Sequence, residues 1–200
     1  SYHQIRTCQW AYAIDLPFLP ISSALVTSVR RCYAVRMQPI RIGILTISDK
    51  GSRGERADTS GDAIQELVGK RGKVSLRRIV PDERSEIAAI LASWCDGGEV
   101  DLILTTGGTG LAARDVTPEA TRDIAEREVP GIAEAMRAAG LRHTPMAMLS
   151  RGAVVVRGQT LIVNLPGSEK GVRESLGAII EVLPHAVALL RGDTEHAPAP

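Results

Sequence analysis

From Ile40 to Leu190 the chain alternates short, continuously apolar runs with segments of helical period, and few folds accept that alternation. Arg41-Ile42-Gly43-Ile44-Leu45-Thr46-Ile47 reads as a strand buried on both faces, because its apolar residues are consecutive. A helix from about Ser60 then places Ile64, Leu67 and Val68 inward, with Gly69 and Gly72 at its end. Val74 to Val80 reads as a second strand, and Ile87, Ile90, Leu91 and Trp94 as the inner face of a second helix. Val100 to Thr105 is a third strand. Thr117 and Pro118 read as N-cap and first position of the next helix. Pro130-Gly131 opens another, to about Leu141. Met148 to Val156 and Thr160 to Leu165 read as two more strands joined through Arg157-Gly158. A last helix after Ser168 carries Val172, Leu176, Ile179, Ile180, Leu183, Val187 and Leu190, with a kink expected at Pro184. Strands separated by helices predict an α/β protein, a three-layer α/β/α arrangement around a mainly parallel sheet. Ligands of such sheets bind beyond the carboxyl ends of the strands. Four polar loops fall there: Ser48-Asp49, Pro81-Asp82, Gly107 to Asp115, and Asn164 to Ser168.

The third of these loops carries the most chemistry. Thr105-Thr106-Gly107-Gly108-Thr109-Gly110 holds three glycines and three threonines in six residues, a backbone able to turn its N–H groups toward an anion. The Gly108-x-Gly110-x-x-Ala113 spacing formally matches a dinucleotide fingerprint, but that motif needs the helix to begin inside the loop, and here the helix signal comes at Thr117-Pro118. A P-loop is excluded, since no lysine lies between Lys73 and Lys170. Asp115 either caps a turn or holds a cation: a carboxylate beside a phosphate site is repulsive unless a cation intervenes, so bound phosphate would make Mg²⁺ at Asp115 the economical reading. Arg114 then contacts phosphate or solvent. Asp82 and Asp49 each divide between helix capping and support of the same ion. Asn164-Leu165-Pro166-Gly167-Ser168 suits a second anion at a helix start, or a plain cap. His143 and His185 are isolated, and no serine or cysteine nucleophile apparatus is present.

Composition sets the remaining bounds. Of six aromatic residues, Tyr2, Trp10, Tyr12, Phe18 and Tyr33 precede residue 37 and only Trp94 follows it. This break predicts an extension, 1–37, outside the fold and without an assigned function, followed by one domain over 38–192 and a disordered Pro/Ala-rich tail over 193–200. A net charge of +1 gives no global field for nucleic acid or an anionic membrane. No apolar run approaches the roughly 20 residues that span a bilayer. Three scattered cysteines without a C-x-x-C spacing argue for a reducing compartment, hence a cytoplasmic protein.

Taken in order, Ile44-x-x-Ile47-Ser48-Asp49, Pro81-Asp82, Thr105 to Gly110, Arg114-Asp115-Val116-Thr117-Pro118-Glu119-Ala120-Thr121, Met148-Leu149-Ser150-Arg151 and Asn164 to Ser168 resemble the molybdenum cofactor biosynthesis family, specifically its single-domain molybdopterin adenylyltransferases. The resemblance covers about Pro39 to Gly192. It implies the α/β/α fold of that family, usually as a homotrimer, and Mg²⁺-dependent transfer of AMP from ATP to the terminal phosphate of molybdopterin. Pyrophosphate leaves, and a metal-insertion enzyme receives the product. Carried over by position, Asp82, Asp115 and Ser150 are the catalytic residues, with Asp115 and Asp82 toward the metal. Ser48, Asp49, Thr106, Gly107, Gly108, Thr109, Gly110, Arg114, Arg151, Asn164, Pro166, Gly167 and Ser168 are the expected substrate and nucleotide contacts. A non-catalytic molybdopterin carrier or scaffold is the alternative. Transfer between two phosphates needs charge neutralisation and in-line positioning more than a strong base, which agrees with the lack of a poised histidine.

Overall fold

The computed structural model describes residues 39–193; the expected 1–37 extension, and the 193–200 tail beyond Asp193, lie outside the described residues. The elements are β1 (Ile40–Ile47), α1 (Asp49–Ser52), α2 (Thr59–Val68), β2 (Gly72–Val80), α3 (Arg84–Asp96), β3 (Leu102–Thr106), α4 (Thr117–Asp123), β4 (Arg127–Glu128), α5 (Pro130–Leu141), a 3₁₀ turn (Pro145–Leu149), β5 (Val154–Arg157), β6 (Thr160–Leu165), α6 (Glu169–Ile179) and α7 (Leu183–Arg191).

Six strands form one sheet in the order β2-β1-β3-β6-β5-β4. β2, β1, β3 and β6 are parallel, while β5 and β4 run antiparallel to their neighbours. The period of two divides the apolar strand residues between two layers. Ile42, Ile44, Leu102, Leu104, Leu161 and Val163 face a core shared with Ile64, Val68, Met136, Leu176 and Val187 of α2, α5, α6 and α7. Leu45, Ile47, Ile103, Val155 and Ile162 face Ile87, Leu91 and Ala120 of α3 and α4. That is the expected three-layer order. Gly43 serves close packing on the α3 side: a Cβ there would lie 2.9 Å from the Trp94 ring.

Four local expectations are corrected. Met148–Val156 is not one strand: Pro145 opens a 3₁₀ turn capped by Thr144 Oγ1, and pairing begins only at Val154. The last helix is two helices, because Pro184 has no N–H to donate and so α7 starts afresh at Leu183. Thr117 is not an N-cap. It is the first residue of α4, fully buried, and its hydroxyl donates to the Gly107 carbonyl. The two-residue β4 carries no apolar signal and was not expected.

At the amino end of the sheet, Asp101 ties the start of β1 to the end of α7. Its carboxylate accepts from Arg41 N at 2.7 Å, Arg41 Nη2 at 2.7 Å and Arg191 Nη2 at 2.6 Å. Burial alone would raise this carboxyl, but the Arg41 and Arg191 bonds outweigh it and hold it well below the usual carboxylate range. A folded-state value below the unfolded one contributes stability above about pH 4 and loses it as pH falls further. Asp101→Asn is therefore expected to cost about 1–3 kcal/mol at pH 7, Arg41 being half exposed. Urea melts of both proteins at pH 7 and pH 3 check this, and the gap should narrow in acid.

Candidate active site at the carboxyl rim of the sheet

The chain runs from β1 out to β2 on one side and returns to β3 on the other, so a crevice opens beyond the carboxyl ends of β1 and β3. The glycine loop leaves β3 directly into this crevice. Gly107 (φ 100°) and Gly108 (φ 61°) take left-handed backbone conformations, and a Cβ on them would lie 2.2 Å from Ile47 O and 2.4 Å from Thr117 Oγ1. At Gly107 no other residue type fits without moving the Ile47 backbone, and at Gly108 the Thr117 side chain would have to give way. Thr117 locks the loop by donating from its hydroxyl to Gly107 O (2.9 Å) and from its N–H to Gly108 O (3.1 Å). Thr106 Oγ1 donates to Pro166 O (2.7 Å), which draws the β6–α6 loop alongside. A Cβ at Gly167 would sit 3.2 Å from Gly107 Cα.

Both candidate carboxylates touch this loop, at different points. Asp82 Oδ1 lies 3.3 Å from where a Gly108 Cβ would be, and Asp115 Oδ2 lies 2.9 Å from the same point on Gly110. Asp115 also accepts from Ala112 N at 2.8 Å. Asp82 does not cap α3, whose N-cap is Glu83. It exchanges bonds with Asp49 instead: Asp49 N donates to Asp82 Oδ2 (2.8 Å) and Asp82 N to Asp49 Oδ1 (3.1 Å). Burial pushes the Asp82 carboxyl up. The Asp49 and Asp115 charges push the same way, against the Asp49 N–H and Arg114. Arg114, bonded to Asp49 at 2.8 and 3.0 Å, holds the Asp49 carboxyl low.

The site is two cavities with the glycine loop between them. The first, about 350 Å³, is lined by Ser48, Asp82, Thr106, Gly107, Gly108, Gly167 and Ser168. The second, about 270 Å³ and more apolar, is lined by Thr109, Gly110, Ser150, Asn164, Pro166 and again Ser168. Asp115 and Arg151 line neither; they border a shallow depression with Leu111 and Glu119. Ser168 is thus the residue common to both cavities, and it caps α6 by accepting from Gly171 N at 3.1 Å.

Three expected contacts have their side chains committed to protein groups. Arg151 donates to Gly110 O (2.6 Å), to Asp115 O and to Glu119, stapling the loop to α4. Arg114 bridges Asp49 and Glu83. Asn164 is 1% exposed: its Oδ1 accepts from Ala153 N (3.2 Å), and its Nδ2 donates to Thr105 and Thr121 hydroxyls at 3.0 and 2.9 Å. It knits β3, β6 and α4 at the wall of the second cavity.

The structure adds residues the sequence reading missed. Arg56, Asp58 and Ser60 line the first cavity. Asp58 caps α2 by accepting from Gly61 N (2.9 Å), receives the Thr46 hydroxyl (3.0 Å), and is paired to Arg77 at 2.7 Å. An Asp immediately before a helix at the rim of β1 was the available signal.

Among the described residues no group of three His, Cys, Asp or Glu could hold a metal ion by itself. Mg²⁺ is held through one or two carboxylates and completes its shell with substrate phosphates, so Asp82 beside Gly108 and Asp115 beside Gly110 are of the right donor type for it. No helix among the described residues is long and apolar enough to cross a membrane.

Residues 43–185 match the family described as "Probable molybdopterin binding domain". A Helicobacter pylori (strain J99) protein named molybdopterin adenylyltransferase is 44% identical over 160 residues, covering 78% of this chain and 91% of its own. The Escherichia coli K12 protein of the same name is 38% identical over 171 residues, covering 78% and 88%. The crystal structure of the molybdopterin biosynthesis enzyme MoaB from Thermus thermophilus aligns with a TM-score of 0.73 at 59% identity, over 76% of this chain and 97% of that one.

Proposed function

This chain belongs to the molybdopterin-binding domain family, and from that premise we propose that it is a nucleotidyltransferase of molybdenum cofactor biosynthesis. It moves AMP from ATP to the terminal phosphate of molybdopterin. The phosphate oxygen attacks the α-phosphorus, the bond from that phosphorus to the bridging oxygen breaks, and pyrophosphate leaves. The observation that carries the reading is the glycine loop with Asp82 at Gly108 and Asp115 at Gly110, set between two cavities that share Ser168.

Each part has a task in that reaction. The Gly107–Gly110 backbone offers N–H groups to phosphate oxygens without competing side chains. Thr117 and Arg151 hold the loop in shape, so that little reorganisation is needed when charge arrives. Two cavities either side of one loop suit two substrates brought end to end, which is positional catalysis. Asp82 and Asp115 would hold Mg²⁺, whose charge would screen the two phosphates from each other. The acceptor oxygen is already anionic, so no general base is required of the chain. Exposed Leu111, Met146 and Met148 support self-assembly, as expected for a homotrimer. We place the protein in the cytoplasm, with a metal-insertion enzyme as the recipient of its product.

The test is incubation of the purified protein with molybdopterin, Mg²⁺ and ATP. Pyrophosphate release that requires molybdopterin supports transfer. Binding of molybdopterin with no pyrophosphate would leave the carrier reading in its place.

A further inference from the structure

We infer that Arg56 binds the pyrophosphate that leaves during AMP transfer, so that a charge of the chain itself stabilises the departing group. The inference rests on the transfer reading above and adds a residue to it. Arg56 lies between α1 and α2 and is the one cation among the described residues that lines the first cavity. It is exposed, and it makes no hydrogen bond or ion pair with any described residue. The other arginines nearby are committed. Arg53, on the same loop, is bonded to Glu55 at 2.8 Å. Arg77 is bonded to Asp58 and Asp62 at 2.7 and 2.6 Å, and Arg114 to Asp49 and Glu83. Arg137, the arginine of the second cavity, donates to Gly152 O at 3.4 Å. Of the two acids on the wall of the first cavity, Asp58 is held by Arg77, the Thr46 hydroxyl and Gly61 N, with its side chain 7% exposed. Asp82 lies against Gly108. Arg56 is therefore the side chain left to meet an anion in this cavity.

The reaction says which anion that is. In-line attack sends the leaving group directly away from the nucleophile. With the acceptor phosphate entering from the more apolar second cavity and the nucleotide seated in the first, the pyrophosphate departs into the first. The new bond joins the acceptor oxygen to the α-phosphorus. The bond from that phosphorus to the bridging oxygen breaks, and its electron pair stays on the pyrophosphate. Negative charge thus grows on the bridging oxygen as the bond breaks. A guanidinium stays protonated throughout, and its planar fork of N–H donors matches phosphate oxygens two at a time. No proton changes hands at Arg56. Its bonds strengthen as the charge grows, which lowers the barrier as well as holding the product.

The test compares the wild type with Arg56→Gln and Arg53→Gln, all as the full chain. Calorimetry with inorganic pyrophosphate and Mg²⁺ reads the leaving-group site without any turnover. Because Arg56 is exposed and bonds to no described residue, its variant should melt as the wild type does. Arg56→Gln is expected to bind pyrophosphate about tenfold more weakly, while its affinity for AMP holds. Its kcat for AMP transfer should fall by about tenfold or more. Arg53→Gln removes an equal charge from the same loop and should leave pyrophosphate binding as it is. Unchanged pyrophosphate affinity in Arg56→Gln overturns the inference. So does an equal loss for AMP, or an equal loss in Arg53→Gln, since either would make the effect one of general charge. A wild type that binds no pyrophosphate overturns it as well. Absence of AMP transfer by the wild type is a different result: it defeats the transfer reading, whatever the pyrophosphate measurements show.

Discussion

Asp82→Asn is expected to fold and to assemble as the wild type does, and to lower AMP transfer by about 10²–10³-fold. The fold should survive because the amide oxygen of Asn can still accept from Asp49 N, the bond that anchors Asp82 now. What it lacks is negative charge beside Gly108. Asp115→Asn should behave alike, since its amide can keep the bond from Ala112 N while removing charge beside Gly110. The two losses should not add, because both carboxylates would serve the same ion. Raising Mg²⁺ should recover part of either single loss. Rates within about twofold of wild type, with unchanged Mg²⁺ dependence, would remove the carboxylates from the reaction.

The second large effect concerns backbone. Gly107→Ala would set a methyl 2.2 Å from Ile47 O, on a residue with φ of 100°. Ile47 ends β1 and is paired to Val80 of β2, so withdrawing its carbonyl would disturb the sheet. A non-glycine residue in such a conformation costs about 1–3 kcal/mol, and forced overpacking costs a similar amount. A net loss on the order of 3 kcal/mol lowers Tm by roughly 6–12 °C for a domain of this size. Relief of the clash would also shift Gly108 away from Asp82, so transfer should fall even where the variant folds. A melting curve and a rate on the same preparation check both. An unaltered Tm would mean that the loop is looser than its contacts with Ile47 and Thr117 imply.

The sequence was most informative where one physical signal stood alone. β1 and β3 read correctly because buried parallel strands are continuous apolar runs, and their carboxyl ends located the crevice. The glycine loop was legible because left-handed backbone restricts residue choice so strongly. Its partners were harder to read. Thr117 has the look of a cap, but its hydroxyl is drawn to Gly107 O by a contact ten residues back. Met148–Ala153 has strand composition, yet Pro145 and the Thr144 cap turn its first part into a 3₁₀ turn. Arg114, Arg151 and Asn164 carry side chains suited to an anion, and sequence cannot tell that carboxylates and carbonyls engage the two arginines, or that the Ala153 N–H and the Thr105 and Thr121 hydroxyls engage Asn164. The division into two cavities depends on how α5, α6 and the 3₁₀ turn pack, which no local pattern encodes. Asp58 was missed because a cap residue looks the same whether or not a cavity lies beside it.

Direct transfer between two substrates held across one loop, with no covalent enzyme intermediate, is the central claim. It is tested most directly by running the reaction with one diastereomer of ATP carrying sulfur at the α-phosphorus and determining the configuration of the product. A single in-line attack by the molybdopterin phosphate predicts inversion. Retention would mean that AMP had first passed to the protein, which would contradict direct transfer.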